Sequence, residues 1–207
     1  MTTAPPTLSI PEVHALLDWI LSSGGTHKQH QRAIRNYTIA ILMLEAGLRV
    51  GELVLLRWTH LFFNSLPVTS IIISAEMTKS KHCREIPVST RLSEALTEYH
   101  RTHSDLRNKT HTPAFWPHGQ TYRHMTTRQV ERIIRHAALE SIGRPIHPHV
   151  LRHTFASKLM RVTNAAIVQQ LLGHAHLSST QIYCHPNGED LRNAINSASS
   201  EPEPSLD

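Results

Sequence analysis

The pattern of apolar and polar positions along this 207-residue chain reads as a series of helices around one short β-rich interval. Residues 1–8 carry no periodicity and read as a flexible lead-in. Ser9 and Glu12 then have the spacing of a capping box, with Pro11 in the first turn, and predict a helix to about Leu21 that SSGG (22–25) ends. A second helix is predicted over 29–47. Its apolar positions Ile34, Tyr37, Ile41, Leu44 and Leu48 step by three and four, and from Ile39 to Leu44 every side is apolar, as expected of a central buried helix. VGELVLLR (50–57) predicts a short third helix.

The pattern changes at SIIIS (70–74), which is β-branched and short. REIPV (84–88) is its natural partner strand, with the polar span 77–83 turning between them. Pro87 has no N–H to donate, so the second strand belongs at an edge. Helical patterns return near 90–102 and over 127–141. Thr126 and Gln129 cap the latter, and Val130, Ile133, Ile134 and Ala137 form its core stripe. PHVLRHTFASKLM (148–160) is a helix opened by Pro148, and NAAIVQQLLG (164–173) a shorter one that stops at Gly173. Two more short helices are expected over 177–184 and 188–198, and 199–207 reads as a disordered acidic tail. The expected class is α+β, mostly α-helical with one small antiparallel β-sheet, in one domain over 9–198.

Composition narrows the possibilities. The longest apolar run, IAILML (39–44), is far too short to span a bilayer. The N-terminus lacks the basic and apolar regions of a signal peptide. Cys83 and Cys184 lie far apart and make no disulfide or metal framework, so a cytoplasmic setting is expected. Lys and Arg number 21 against 16 acids; setting aside Glu201, Glu203 and Asp207 of the tail leaves 21 against 13, a formal +8 on the body. That charge fits a polyanionic partner, and fits equally an ordinary soluble protein of high pI.

Several side chains are poorly explained by packing alone. Arg49 lies among apolar residues in EAGLRVGELVLL (45–56), where a permanent charge needs a carboxylate or a ligand; Glu52, three residues on, has the spacing to orient it. His149 and Arg152 share a helix face opposite Leu151, Phe155 and Leu159. With the helix N-terminus they read as a phosphate cradle or as a solvated face. Lys79 and Lys81 sit on the hairpin turn. Arg128, Arg132 and Arg135 form a ridge, interrupted by Glu131, that suits a nucleic-acid backbone or plain solvent. His174 follows the capping Gly173, and Tyr183 stands among small polar residues. His174, His176, Cys184 and His185 lack a structural-zinc spacing, and no Cys-x-x-Cys pair is present, so no metal is expected.

In order along the chain, these pieces resemble the catalytic domain of the tyrosine recombinase family, the phage integrases and Xer-type recombinases. GLRVGEL (47–53) is similar to the first arginine box, and TKSKHCREIPV (78–88) to the hairpin bearing the catalytic lysine. HPHVLRHTFASKL (147–159) is similar to the His-x-x-Arg box. LLGHAHLSSTQIYCH (171–185) is similar to the last box, with its histidine nine residues before the tyrosine. The resemblance covers about residues 8–198. It implies a DNA-cleaving and rejoining enzyme that works through a 3′-phosphotyrosyl intermediate, with no cofactor. By carry-over, Tyr183 is the nucleophile, Arg49, Arg152, His149, His174 and Lys79 complete the catalytic set, and Glu52 supports Arg49. The turn departs from the family's common glycine-containing tip by reading Ser80-Lys81-His82, which leaves Lys79 and Lys81 as alternatives.

The N-terminal DNA-clamping domain of most family members has no counterpart here, so the chain reads as an excised domain or as one similar to the one-domain fimbrial-switch recombinases. The resemblance further implies double-stranded DNA as partner, and assembly as a dimer or tetramer on DNA with the helix over 188–198 docking on a neighbour. It also implies a nucleoid-associated setting in a prokaryote, phage or mobile element. A type IB topoisomerase and a non-catalytic DNA-binding module are the competing readings. Neither the target sequence nor the outcome (integration, excision, inversion or dimer resolution) is written in the boxes.

Overall fold

Reciprocal capping opens the first helix as its sequence requires. The Ser9 N–H donates to Glu12 Oε2 at 2.8 Å, and the Ser9 hydroxyl accepts from the Glu12 N–H at 3.4 Å. This computed structural model describes residues 6–23, 25–78, 83–103, 112–117, 123–173 and 192. Helix α1 spans Ile10–Ser22 and α2 spans His27–Glu45, the latter started by a second capping box between Thr26 and Gln29. Short helices α3 (Val50–Leu55) and α4 (Trp58–Leu61) follow, then strands β1 (Phe62–Phe63), β2 (Leu66–Pro67) and β3 (Ser70–Ile73). A 3-10 turn at Ala75–Met77 leads toward β4 (Arg84–Pro87). The remaining elements are α5 (Thr90–Thr102), α6 (Thr127–Ile142), α7 (Pro148–Met160) and α8 (Ala165–Leu172).

The class is α+β, as expected, and the predicted hairpin forms with β3 and β4 antiparallel, Ile73 opposite Arg84 and Ile71 opposite Ile86. A second ribbon, β1 with β2, adds to the single expected sheet. Asn64 and Ser65 both take positive φ at its tip, the turn geometry that matches strand twist. Strands of two residues are too short for alternation to register in a sequence. The expected third helix, 50–57, stops at Leu55, because the buried Leu56 gives its carbonyl to the Ala114 N–H and Arg57 pairs with Pro113. The expected helices over 177–184 and 188–198, and the acidic tail, lie outside the described residues.

Helix α2 is the centre of the core. Ile39 through Leu44 are all buried, and the helix packs against α1, α5 and α7. Burying such side chains stabilises by roughly 1.5–3 kcal/mol each, which is why a helix apolar on all sides belongs inside. Helix α7 is likewise enclosed, with Pro148, Val150, Leu151, Arg152, Phe155 and Ala156 buried. Phe155 and Ala156 join Val168 and Leu172 of α8 in a smaller cluster that seats α8 on α7. Among the described residues, no helix is long and apolar enough to cross a membrane.

Midway along its length α2 carries a buried arginine. Arg35 donates Nη1 to the Trp116 carbonyl at 2.9 Å, and Nε and Nη2 to Asn36 Oδ1 at 3.1 and 2.8 Å. The same corner holds Tyr99, whose hydroxyl donates to the Ala114 carbonyl at 2.7 Å, and His103, stacked near Tyr99 and Trp116. These bonds tie the 112–117 segment to α2 and α5.

Candidate active site

The site is built where α2 ends. Gly47 takes φ +59°, a left-handed conformation that lets the chain reverse at once, and a Cβ there would collide with the Phe155 ring. The reversal presents Arg49 in extended backbone as the residue that starts α3. Its N–H donates to Glu52 Oε2 at 2.7 Å, and its Nη1 to Glu52 Oε1 at 3.0 Å. Glu52 therefore both caps the helix start and orients Arg49, as the spacing predicted.

Glu52 has a second and stronger partner that sequence reading missed. Arg84 donates Nη1 to Oε1 at 2.9 Å and Nη2 to Oε2 at 2.7 Å, a two-pronged pairing of guanidinium and carboxylate. Both side chains are sealed, at 4% and 2% exposure, whereas Arg49 remains 34% exposed. Burial alone would push the Glu52 carboxyl up. The bonds and charge of Arg84, the Arg49 N–H and the charge of Arg152 outweigh that and hold it below the usual carboxylate range. A signal for Arg84 did exist: strand alternation puts it on the inward face with Ile86, while Glu85 and Pro87 face out.

Arg152 is buried rather than displayed. It donates Nη1 to the Gly47 carbonyl and Nη2 to the Leu172 carbonyl at 2.8 Å. The expected shared face with His149 thus splits. His149 lies exposed on the first turn of α7, while Arg152 is drawn inward because carbonyls from two other elements meet it there. His149 is held below the ordinary histidine range, first by desolvation, then by the positive charges of Arg152 and Arg49, against an opposing effect of Glu131. These effects favour the neutral ring over the charged one.

Arg84 also donates Nε to the Leu171 carbonyl at 2.9 Å. Two neighbouring carbonyls at the end of α8 are therefore taken by two different arginines, Arg84 and Arg152. Gly173, at φ +63°, closes the helix, and a Cβ on it would stand 2.9 Å from Arg84 Cδ. Arg49, Glu52, Arg84 and Arg152 thus form one cluster, and both Arg49 and Arg152 act on His149. Arg128, Arg132 and Arg135 of α6 are exposed as expected, and Arg132 faces a groove with Trp19 and Arg35. Lys79, Lys81, His174 and Tyr183 lie outside the described residues. Among the described residues, no group of histidine, cysteine or acidic side chains is arranged to hold a metal ion.

In this mainly helical fold a helix-start arginine and a hairpin arginine thus share one buried glutamate. The model of the phage integrase family matches residues 11–190, and the chain belongs to that family. It is 34% identical over 165 residues to a tyrosine recombinase of Pseudothermotoga lettingae, covering 78% of this chain and 53% of that protein. It is 31% identical over 188 residues to tyrosine recombinase XerC of Azotobacter vinelandii, covering 90% and 58%. The chain spans little more than half the length of these curated relatives. The crystal structure of XerA recombinase superposes with a TM-score of 0.70 at 28% identity, over 97% of this chain and 66% of that one. XerH site-specific recombinase bound to its difH substrate gives 0.73 at 21% identity, over 97% and 56%, a likeness of fold.

Proposed function

We propose that this chain is the catalytic domain of a site-specific DNA recombinase or integrase, acting on double-stranded DNA in the cytoplasm through a 3′-phosphotyrosyl intermediate. The observation that carries the reading is the cluster of Arg49, Glu52, Arg84 and Arg152, with the exposed His149 one turn before Arg152 on α7. Arg84 and Arg152 of this cluster hold the last carbonyls of α8, two and one residues before Gly173, and His174 and Tyr183 follow in the sequence. In this reading Tyr183 attacks the scissile phosphorus in line. The P–O bond to the 5′ oxygen breaks, and the phosphate passes to the tyrosine oxygen, so the bond energy is kept for rejoining. His149 accepts the phenolic proton, and Lys79, or Lys81 from the same turn, protonates the departing 5′ oxygen. Arg49 and Arg152, helped by His174, stabilise the charge that grows on the non-bridging oxygens. The guanidiniums supply the positive charge, so the step calls for no cofactor.

Arg128, Arg132 and Arg135 offer further phosphate contacts in this reading, sensitive to salt. Strand exchange needs more than one copy on the DNA, and the segment 188–198 is the proposed contact between them, giving a dimer or tetramer.

A suicide DNA substrate, nicked so that cleavage cannot reverse, tests the chemistry. The wild-type protein is expected to form a detergent-resistant covalent adduct and Tyr183→Phe none; an adduct with Tyr183→Phe would remove the nucleophile assignment. Arg49→Ala and Arg152→Ala are expected to keep most DNA binding and to lose cleavage by roughly 10²–10³-fold or more, the scale for removing a transition-state donor. Relaxation of plasmid without any site requirement would move the reading to a topoisomerase.

A further inference from the structure

Resting on that reading, we propose that Arg84 is a positioning residue that holds Glu52 away from full pairing with Arg49 and fixes the end of α8 to the β3–β4 hairpin. Glu52 carries one charge and two oxygens, and two guanidiniums compete for them. Arg84 meets the carboxylate head-on, with one Nη on each oxygen at 2.9 and 2.7 Å. Arg49 reaches it through a single side-chain contact at 3.0 Å and stays one-third exposed. A planar carboxylate engaged head-on by one fork has no second head-on position. Arg49 is thereby oriented by Glu52 without being fully paired by it.

The same guanidinium has a second task. The last carbonyls of a helix lack partners within it, and cations near that end are favourable. The α8 end meets this need twice, through Arg84 on Leu171 and Arg152 on Leu172. Gly173 is bare at the point where a side chain would press on Arg84. Arg84 also begins β4, five residues past Lys79 in the chain. One side chain therefore joins the β3–β4 hairpin, the Arg49 support and the exit toward His174, one residue past Gly173, and Tyr183, ten past it. A shift in any of the three alters the relation of cation to nucleophile. Displacements of about 1 Å in such a relation cost about 100-fold in rate.

The test compares wild type, Arg84→Met and the charge-cancelling double variant Arg84→Met/Glu52→Gln in single-turnover cleavage of the suicide substrate, with DNA affinity and thermal unfolding measured alongside. With Arg84 gone, Glu52 is free to pair head-on with Arg49. Cleavage is expected to fall about 100-fold while affinity changes by no more than about threefold. Neutralising Glu52 in the double variant frees Arg49 again, and cleavage is expected to recover at least about tenfold over the single variant. A residue that only stabilised the fold would change cleavage in step with the unfolding midpoint, whereas here the loss and the recovery are expected at a temperature where all three proteins are fully folded. Should Arg84→Met not fold, Arg84→Lys takes its place in both comparisons, since lysine keeps the charge but not the fork. Wild-type-like cleavage in the folded single variant, or a double variant no faster than the single, overturns the proposal. An inactive wild type instead overturns the recombinase reading itself.

Discussion

Two buried arginines, Arg35 midway along α2 and Arg84 at the start of β4, solve one problem differently. Arg35 is enclosed with neutral acceptors alone, Asn36 Oδ1 and the Trp116 carbonyl, and no carboxylate among the described residues meets it. Arg84 is enclosed against Glu52, and that carboxylate is shared with Arg49. The first arrangement serves the fold by tying a loop to a helix. The second keeps a cation next to solvent at the price of a buried ionic node. A guanidinium can be housed by carbonyls, so the carboxylate is not there merely to make Arg84 tolerable. Its use lies in what it does to Arg49.

The contrast can be broken most directly at Glu52. Glu52→Ala leaves Arg84 buried without its anion and is expected to cost about 3–5 kcal/mol in urea unfolding. A loss under about 1 kcal/mol would show that water or carbonyls replace the carboxylate there as easily as they serve Arg35.

The Arg35 corner has its own sensitivity, to acid. Burial pushes the His103 ring down to about 4, with the Tyr99 carbonyl opposing and the charge of Arg35 adding to it. The unfolded chain takes up that proton near the ordinary 6.5, earlier than the folded one does. Stability from the neutral ring is therefore complete above pH 6.5 and is lost as pH falls from there toward 4, by about 3 kcal/mol in all. Denaturant midpoints followed between pH 7 and pH 4.5 check this, and His103→Gln should flatten the slope. An unchanged slope in that variant would move the acid sensitivity elsewhere.

The smallest effect is expected at Arg35 itself. Arg35→Met replaces a charge held by neutral acceptors with an apolar side chain of similar reach. The gain from not burying a charge offsets part of the lost bonds, leaving about 1–2 kcal/mol of destabilisation. A loss as large as that of Glu52→Ala would erase the distinction between the two buried arginines.

How far the site was legible in the sequence follows the same division. The Arg49–Glu52 contact spans one helical turn, so the spacing alone announced it. The capping boxes at Ser9 and Thr126 and the glycine stop after Leu172 were legible for the same reason. Arg84 was not read as a site residue, although its place on the inward side of REIP marked it as a charge facing the core. Arg152 was placed on the right helix but at the wrong depth. Periodicity gives the direction of a side chain and says nothing of what waits there.

The sequence by itself determined the main helices and the β3–β4 hairpin, the central place of α2, and the one-turn contacts at Ser9, Arg49 and Thr126, because those depend on local spacing and the conformational limits of a few residues. Only the tertiary structure decided which guanidinium takes Glu52 head-on and where Arg152 ends. Those outcomes join residues 32 and 105 positions apart, and they depend on the β3–β4 register and on α8 presenting its last carbonyls to both arginines at once. No short-range pattern carries that information, since it arises only when the hairpin, the start of α3 and the end of α8 are packed against one another.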